Sequence, residues 1–182
     1  MIETIRIGRL LRETVAAPYR NLVTRPTGAA VRNRIEQALA RSTCHTAFLD
    51  FSDIELLDFS CADEVVAKLL MADTERGVRF LVLQGLREDQ HEAIEHVLTH
   101  HGLAVAAVAQ GEEHSEPRLL GWVTPDARTA FACVCARGAL TACELAAVLD
   151  WLVARAEAAL ATLAGHRLLR AEDDRYLPLP IG

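Results

Sequence analysis

The chain is short of long apolar runs, aromatic residues and paired cysteine spacings, and each shortage removes a class of function. No stretch of its 182 residues approaches the roughly 18 to 20 consecutive apolar residues that a membrane-crossing helix needs. The amino terminus, Met1-Ile-Glu-Thr-Ile-Arg6, lacks the basic-then-apolar layout of a secretory signal. Both features lead us to expect a cytoplasmic protein with no membrane partner. The five cysteines, Cys44, Cys61, Cys133, Cys135 and Cys143, are odd in number and include no CxxC, so reduced thiols are expected rather than a disulfide framework. Cys133 and Cys135 would point about 200° apart on a helix, which disfavours a shared metal ion. A formal net charge of −6 argues against a strong non-specific hold on nucleic acid. Phosphate-cradling glycine motifs and the GxSxG elbow are both missing.

The histidines do not supply the missing chemistry. His91-Glu-Ala-Ile-Glu-His96 resembles a zinc protease motif, but the second histidine comes five residues on and lies about 140° around the helix. His96 and His100 have the four-residue spacing but no evident third ligand, so a surface helix with several histidines is expected. No catalytic residues, metal ligands or cofactor are assigned, and the chain is not expected to be an enzyme.

What is present is a core. Hydrophobic residues make up 51% of the chain and charged residues 24%, ordinary for a folded globular protein. Residues 3 to 10 alternate apolar and polar as a strand, with further extended pieces near Thr14 to Ala17 or Arg20 to Val23. Thr27 is the candidate cap of a helix carrying Val31, Ile35 and Leu39 on one face. Arginines crowd the first forty residues, and the simplest account is a solvated face balancing the acidic middle. Apolar strands are expected at Ala47 to Phe51, Gly77 to Gly85, Leu103 to Ala109 and, at an edge, Arg118 to Val123. Between the middle two, residues 87 to 101 read as an amphipathic helix, and Gln110 to Pro117 as a loop. This alternation predicts an α/β fold with a mixed sheet and flanking helices over residues 1–123.

After Pro125 the pattern becomes mostly helical. Asp126 to Ala136 reads as one helix. Thr141-Ala-Cys-Glu144 is a capping box, apolar periodicity continues to about Leu163, and Leu168 to Leu179 reads as a hairpin around Asp173 and Asp174. A second, small unit over residues 124–182 is expected.

The most informative stretch is Phe48 to Leu70. A short apolar strand breaks on Ser52 and Asp53, a second apolar piece runs from Ile54 to Leu57, and Asp58 precedes a helix expected to open at Ser60. Helix capping alone accounts for a serine there. The order Leu49-Asp50-Phe51-Ser52, then Ile54 to Leu57, Asp58 and Ser60 also resembles the STAS domain, the fold of the bacterial anti-sigma-factor antagonists. Where that family usually has Asp-Ser-Ser-Gly, this chain has Asp58-Phe59-Ser60-Cys61. The resemblance implies that Ser60 is a phosphoacceptor. It also implies that the surface around Asp50, Ser52, Asp53, Asp58, Ser60, Asp63 and Glu64 meets a regulatory protein partner such as a serine kinase or anti-sigma factor. With its carboxylates close together, a phosphorylated Ser60 would stand in a strongly anionic knob.

Glu144-Leu-Ala-Ala-Val-Leu-Asp150-Trp-Leu, then Val153 to Leu163, then Arg167-Leu-Leu-Arg and a hairpin ending Arg175-Tyr-Leu, is similar to a winged helix-turn-helix, with Asp150 where the turn usually has glycine. In that family the second helix of the pair enters the major groove. Here its outward positions, Ala154, Arg155, Glu157, Ala158, Ala161 and Thr162, offer mostly methyl groups. Arg155, Arg167, Arg170 and Arg175 are the nucleic-acid candidates, while exposed alanines suit partner docking or a homodimer. The expected function is therefore non-catalytic regulation by protein association. The main alternative is a DNA-binding transcription regulator whose α/β part senses a signal; a small-molecule sensor is a third.

Overall fold

The computed structural model describes residues 2–73, 80–109 and 116–181. Its centre is a five-stranded sheet built from β1 (Ile2–Arg6), β3 (Thr46–Asp50), β5 (Phe80–Gln84), β6 (Ala104–Val108) and β7 (Arg118–Gly121), in that spatial order. The first four are mutually parallel and β7 runs antiparallel at the edge. The start of the expected strand at Gly77 and most of the expected loop from Gln110 lie outside the described residues.

The four parallel strands advance in one lateral direction, and right-handed crossovers of that kind place every connecting helix on the same face. That face holds α1 (Ile7–Val15), α2 (Arg25–Arg41), α5 (Glu88–His101), and the segment α3 (Phe59–Ala62), a π-helical turn (Asp63–Ala67) and α4 (Lys68–Asp73). Strand side chains alternate between faces. Ala47, Leu49, Leu81, Leu83, Val105, Ala107 and Leu120 thus join the helices in one core.

The opposite set, Phe48, Val82, Ala104, Ala106 and Leu119, would be left in water by those crossovers, and the remainder of the chain covers it. There α6 (Pro125–Arg137), β8 (Leu140–Thr141), α7 (Ala142–Leu149), α8 (Val153–Gly165), β9 (Arg170–Glu172) and β10 (Arg175–Leu177) follow in order, with the three short strands arranged β8-β10-β9. Phe131, Leu145, Leu160, Leu163 and Leu169 pack in one cluster with the outward set of the sheet. Residues on either side of position 123 therefore share a core. Arg128 on α6 donates to the carbonyls of Leu119 and Gly121, occupying backbone acceptors of the edge strand that would otherwise invite pairing.

Several local expectations are corrected. The alternating pattern at residues 3 to 10 is only half strand: at Ile7 the chain turns into α1, whose Ile7 and Leu11 are fully buried. Strand alternation and the start of a helical stripe coincide over so short a run. Thr14 lies within this helix rather than in extended chain. Of the other proposed extended material, Asn21–Leu22 forms β2 and pairs with β4, Leu56–Leu57. Helix α2 begins at Arg25, so Thr24, not Thr27, stands at its cap position. The capping box Thr141/Glu144 and the left-handed Asp150 turn (φ 53°) are as expected, as is the hairpin turn, where Asp173 has φ 54°.

The shared core gives a direct expectation. Phe48→Ala should cost about 3–5 kcal/mol and lower one common transition, whether followed by far-UV circular dichroism or by fluorescence of Trp122 and Trp151. A fluorescence transition that stays at the wild-type midpoint while the dichroism shifts would show two independent units.

Candidate functional site

The stretch from Phe51 to Glu64 is positioned mainly by backbone. Phe51 donates its amide to Gln84, Glu55 to the carbonyl of Arg20 and Asp58 to the carbonyl of Leu22, so the β2–β4 pair fixes the chain leaving β3. From α5, Gln90 donates to the carbonyl of Ile54 at 2.9 Å, and its own carbonyl oxygen receives the Arg87 amide. Gln90 is fully buried; a polar residue on an otherwise apolar helical face was the one sequence signal of this tether.

Asp58, not Ser60, caps the helix. Its Oδ1 accepts the amide of Cys61 at 2.7 Å and its Oδ2 accepts the amide of Thr24 at 3.0 Å. One carboxylate thereby ties the start of α3 to the start of α2. Ser60 is the second residue of α3 and donates its hydroxyl to Asp58 Oδ1 at 2.8 Å. Burial alone would push the Asp58 carboxyl up, but the amides of Cys61 and Thr24 and the Ser60 hydroxyl together hold it below the usual carboxylate range. The neighbouring Cys61 is fully buried. Burial, then the charge of Asp58, pushes its thiol up to about 12, and its Sγ donates to the carbonyl of Thr24.

Behind Ser60 the helix widens. The amide of Lys68 reaches back to the carbonyl of Asp63, a π-helical turn of the kind that recurs at functional positions. Glu64, on this turn, is 2% exposed yet remains charged among three cations. Its carboxylate receives Arg25 at 2.8 Å, Arg32 at 2.7 Å, and Lys68. Asp63 pairs with Arg25 at 2.7 Å and with His101 at 2.8 Å. Burial would raise both carboxyls. Lys68 and Arg25 outweigh it at Glu64, and Arg25 and His101 at Asp63, holding both low. Gly28 permits this closeness: a Cβ there would stand 3.1 Å from Cys61 Sγ and from Glu64 Cβ, so a larger residue would wedge α2 away from the helix bearing Ser60.

The expected anionic knob is therefore not what forms. Asp50 is buried and accepts the amide of Ser52, Asp53 pairs with Arg12 at 3.2 Å, and Asp63 and Glu64 are paired with Arg25 and Arg32 from α2 and with Lys68 of their own helix. Ser52 remains exposed, next to Gly85, and Asp53 is half-buried beside α1. Asp58, Ser60 and Asp63 stand beside α2 and α5 instead. The basic face of the first forty residues balances the acidic middle, as composition suggested.

A cleft of about 510 Å³ opens at Ser60. Phe59, Ser60 and Asp63 form one wall, Arg25 contributes from α2, and His96, Val97, His100 and His101 form the α5 wall. Phe59 is 58% exposed and meets the His96 ring edge-on, with centroids 5.1 Å apart. Leu56, just before it, is also exposed. No group of three or more metal-ligating side chains occurs among the described residues. Sequence spacing placed His96 and His100 on one face but gave no sign that this face lies against Ser60.

Comparison with known proteins finds no matching family model, curated protein or solved structure. No helix among the described residues is long and apolar enough to cross a membrane.

The nucleic-acid candidates are all engaged within the chain. Arg155 makes two bonds to Asp126, at 2.8 and 2.6 Å, and lies 4.2 Å over the Trp151 ring. Arg175 pairs with Glu144, Arg170 with Glu172, and Arg167 donates to the carbonyl of Leu70.

Because the folded carboxyls of Asp58, Asp63 and Glu64 titrate below their unfolded values, their contribution is complete above the unfolded pKa. It is lost as pH falls through the folded pKa values, which lie below the ordinary carboxylate range. Glu64→Gln should destabilise by roughly 2 kcal/mol at neutral pH, since Arg25, Arg32 and Lys68 lose their charged acceptor, and should flatten the acid limb of a melting-temperature profile. An unchanged acid limb would place the relevant protons elsewhere.

Proposed function

We propose that the protein is a non-catalytic regulator that works by protein association, with the face around Ser60 as its contact surface and Ser60 as the phosphoacceptor. One observation carries this reading. Ser60 is half-buried in a cleft wall, its hydroxyl oriented by Asp58, with the exposed apolar side chain of Phe59 on the same wall and the exposed Leu56 four residues earlier in the chain. A polar, modifiable hydroxyl next to exposed apolar groups is the composition of a protein contact, where a buried anchor gives affinity and a central polar group gives control. The Asp58-Phe-Ser60 order after an apolar strand supports a STAS-like fold for the sheet and its helices, with a serine kinase or anti-sigma factor as the kind of partner. The order α6-β8-α7-α8-β9-β10, with β10 between its two neighbours, supports a winged-helix-like unit on the other sheet face.

A phosphoryl group adds about −1.5 to −2 charge at neutral pH. A partner that accepts the neutral hydroxyl against Phe59 would have to desolvate that charge, and its affinity would fall. A DNA-binding role is less well supported, because Arg155, Arg170 and Arg175 are each paired with a carboxylate and so offer little net charge to phosphates. Leu152, 81% exposed at the turn between α7 and α8, suits a protein contact on that unit better than a nucleic-acid one.

Affinity capture with wild-type, Ser60→Ala and Ser60→Asp proteins, from cells that make the protein naturally, tests this reading. One partner should be retained by the first two and depleted at least about tenfold, or 1.4 kcal/mol, by the third. Equal recovery by all three would remove Ser60 from the contact.

A further inference from the structure

We propose that the phosphorylated Ser60 side chain is received within the same molecule by His96 and His100, making the cleft a proton-sensitive phosphoserine receptor. This rests on Ser60 being the acceptor. In that step the Ser60 oxygen forms a bond to the terminal phosphorus of a nucleoside triphosphate held by a serine kinase. The bond from that phosphorus to the bridging oxygen breaks, the diphosphate leaves with the electron pair, and the hydroxyl proton passes to a base of the kinase.

The cleft contains the parts for such a receptor. Ser60, His96 and His100 line it together. His101 is bound to Asp63, and His91 faces Glu88. His96 and His100, by contrast, make ring contacts with Phe59 and His101 but no hydrogen bond among the described residues. Their ring nitrogens are the uncommitted donors of the cleft. The carboxylates that would compete for them are occupied, Asp58 by two backbone amides and Asp63 and Glu64 by Arg25, Arg32, Lys68 and His101.

Phosphorylation also supplies the movement. It removes the hydroxyl proton that Ser60 donates to Asp58 and puts two like charges side by side, so the group is driven from Asp58 toward α5. A phosphoserine loses its second proton near pH 6 and an imidazole near 6.5. Each therefore favours the charged form of the other across neutrality. The charged and titratable groups that line the cleft with the histidines are Arg25 from α2, Asp63 from the Ser60 helix and His101 on α5. Of these only Arg25, already shared between Asp63 and Glu64, would compete for the phosphate.

The test is an imidazole titration by nuclear magnetic resonance on full-length protein carrying phosphoserine at position 60, incorporated during translation, beside the unmodified protein. The His96 and His100 midpoints should rise by about half to one pH unit while His45 stays fixed. The shift should survive 1 M salt, where screening acts over about 3 Å. In His96→Gln/His100→Gln protein the phosphorus midpoint should move back toward that of free phosphoserine. Unshifted histidines, or shifts that vanish in high salt, would overturn the proposal. Because the phosphate is placed without a kinase, this result is independent of whether a kinase reaches Ser60, which is the separate failure mode of the functional reading.

Discussion

The buried carboxylate of Glu64 is the constraint on which the rest of the site depends. An isolated charge at that depth would be driven to protonate or to unfold its surroundings. Here it is retained because Arg25 and Arg32 reach it from α2 and Lys68 from the next turn of its own helix. The two arginine bonds fix the distance between α2 and the helix bearing Ser60, and Gly28 is the residue small enough to let the two backbones meet. Asp58 then repeats the connection one turn earlier by capping α3 and holding the amide of Thr24. The Ser60 hydroxyl inherits its orientation from this pair of polar joints. Such joints add little net stability over apolar packing, but breaking either is costly, and so they specify one arrangement.

The sheet provides a second constraint. Consecutive parallel crossovers in one direction put every helix of the first 109 residues on one face. The other face must then be covered by something that follows, and the helices and short strands after Val123 do this. Their packing onto Phe48 and Val82 is continuous with the strand that leads, through Asp50 and Phe51, into the loop before Ser60. A change at the far face thus has a physical path to the cleft, through β3 itself.

Much of this was legible in the sequence. Runs such as Phe80 to Gln84 and Ala104 to Val108 are apolar on both faces, which is what a covered parallel strand requires. The Thr141 capping box and the Asp150 turn are local chemistry, readable without tertiary context. The misreadings came where local and tertiary rules compete. Arg6 and Ile7 satisfy both a strand and a helix pattern, and only the need to bury Ile7 and Leu11 decides between them. Ser60 and Asp58 are both good caps, and Asp58 prevails because its second oxygen also has the Thr24 amide to bind. The anionic cluster failed for a related reason: an overall charge balance gave no sign that Arg12, Arg25 and Arg32 fold onto Asp53, Asp63 and Glu64 in particular. Spacing put His96 and His100 on one helical face, but that this face walls the cleft had no local signature, since it depends on how α5 is laid beside α3.

The most direct test of Ser60 as a regulated contact is its modification state in the cell. Intact-mass and fragmentation mass spectrometry of the protein isolated from its natural host, across growth conditions, should find a fraction bearing a single phosphoryl group localised to Ser60, and that fraction should change with condition. Ser60 unmodified under every condition, or a phosphoryl group confined to another residue, would contradict it.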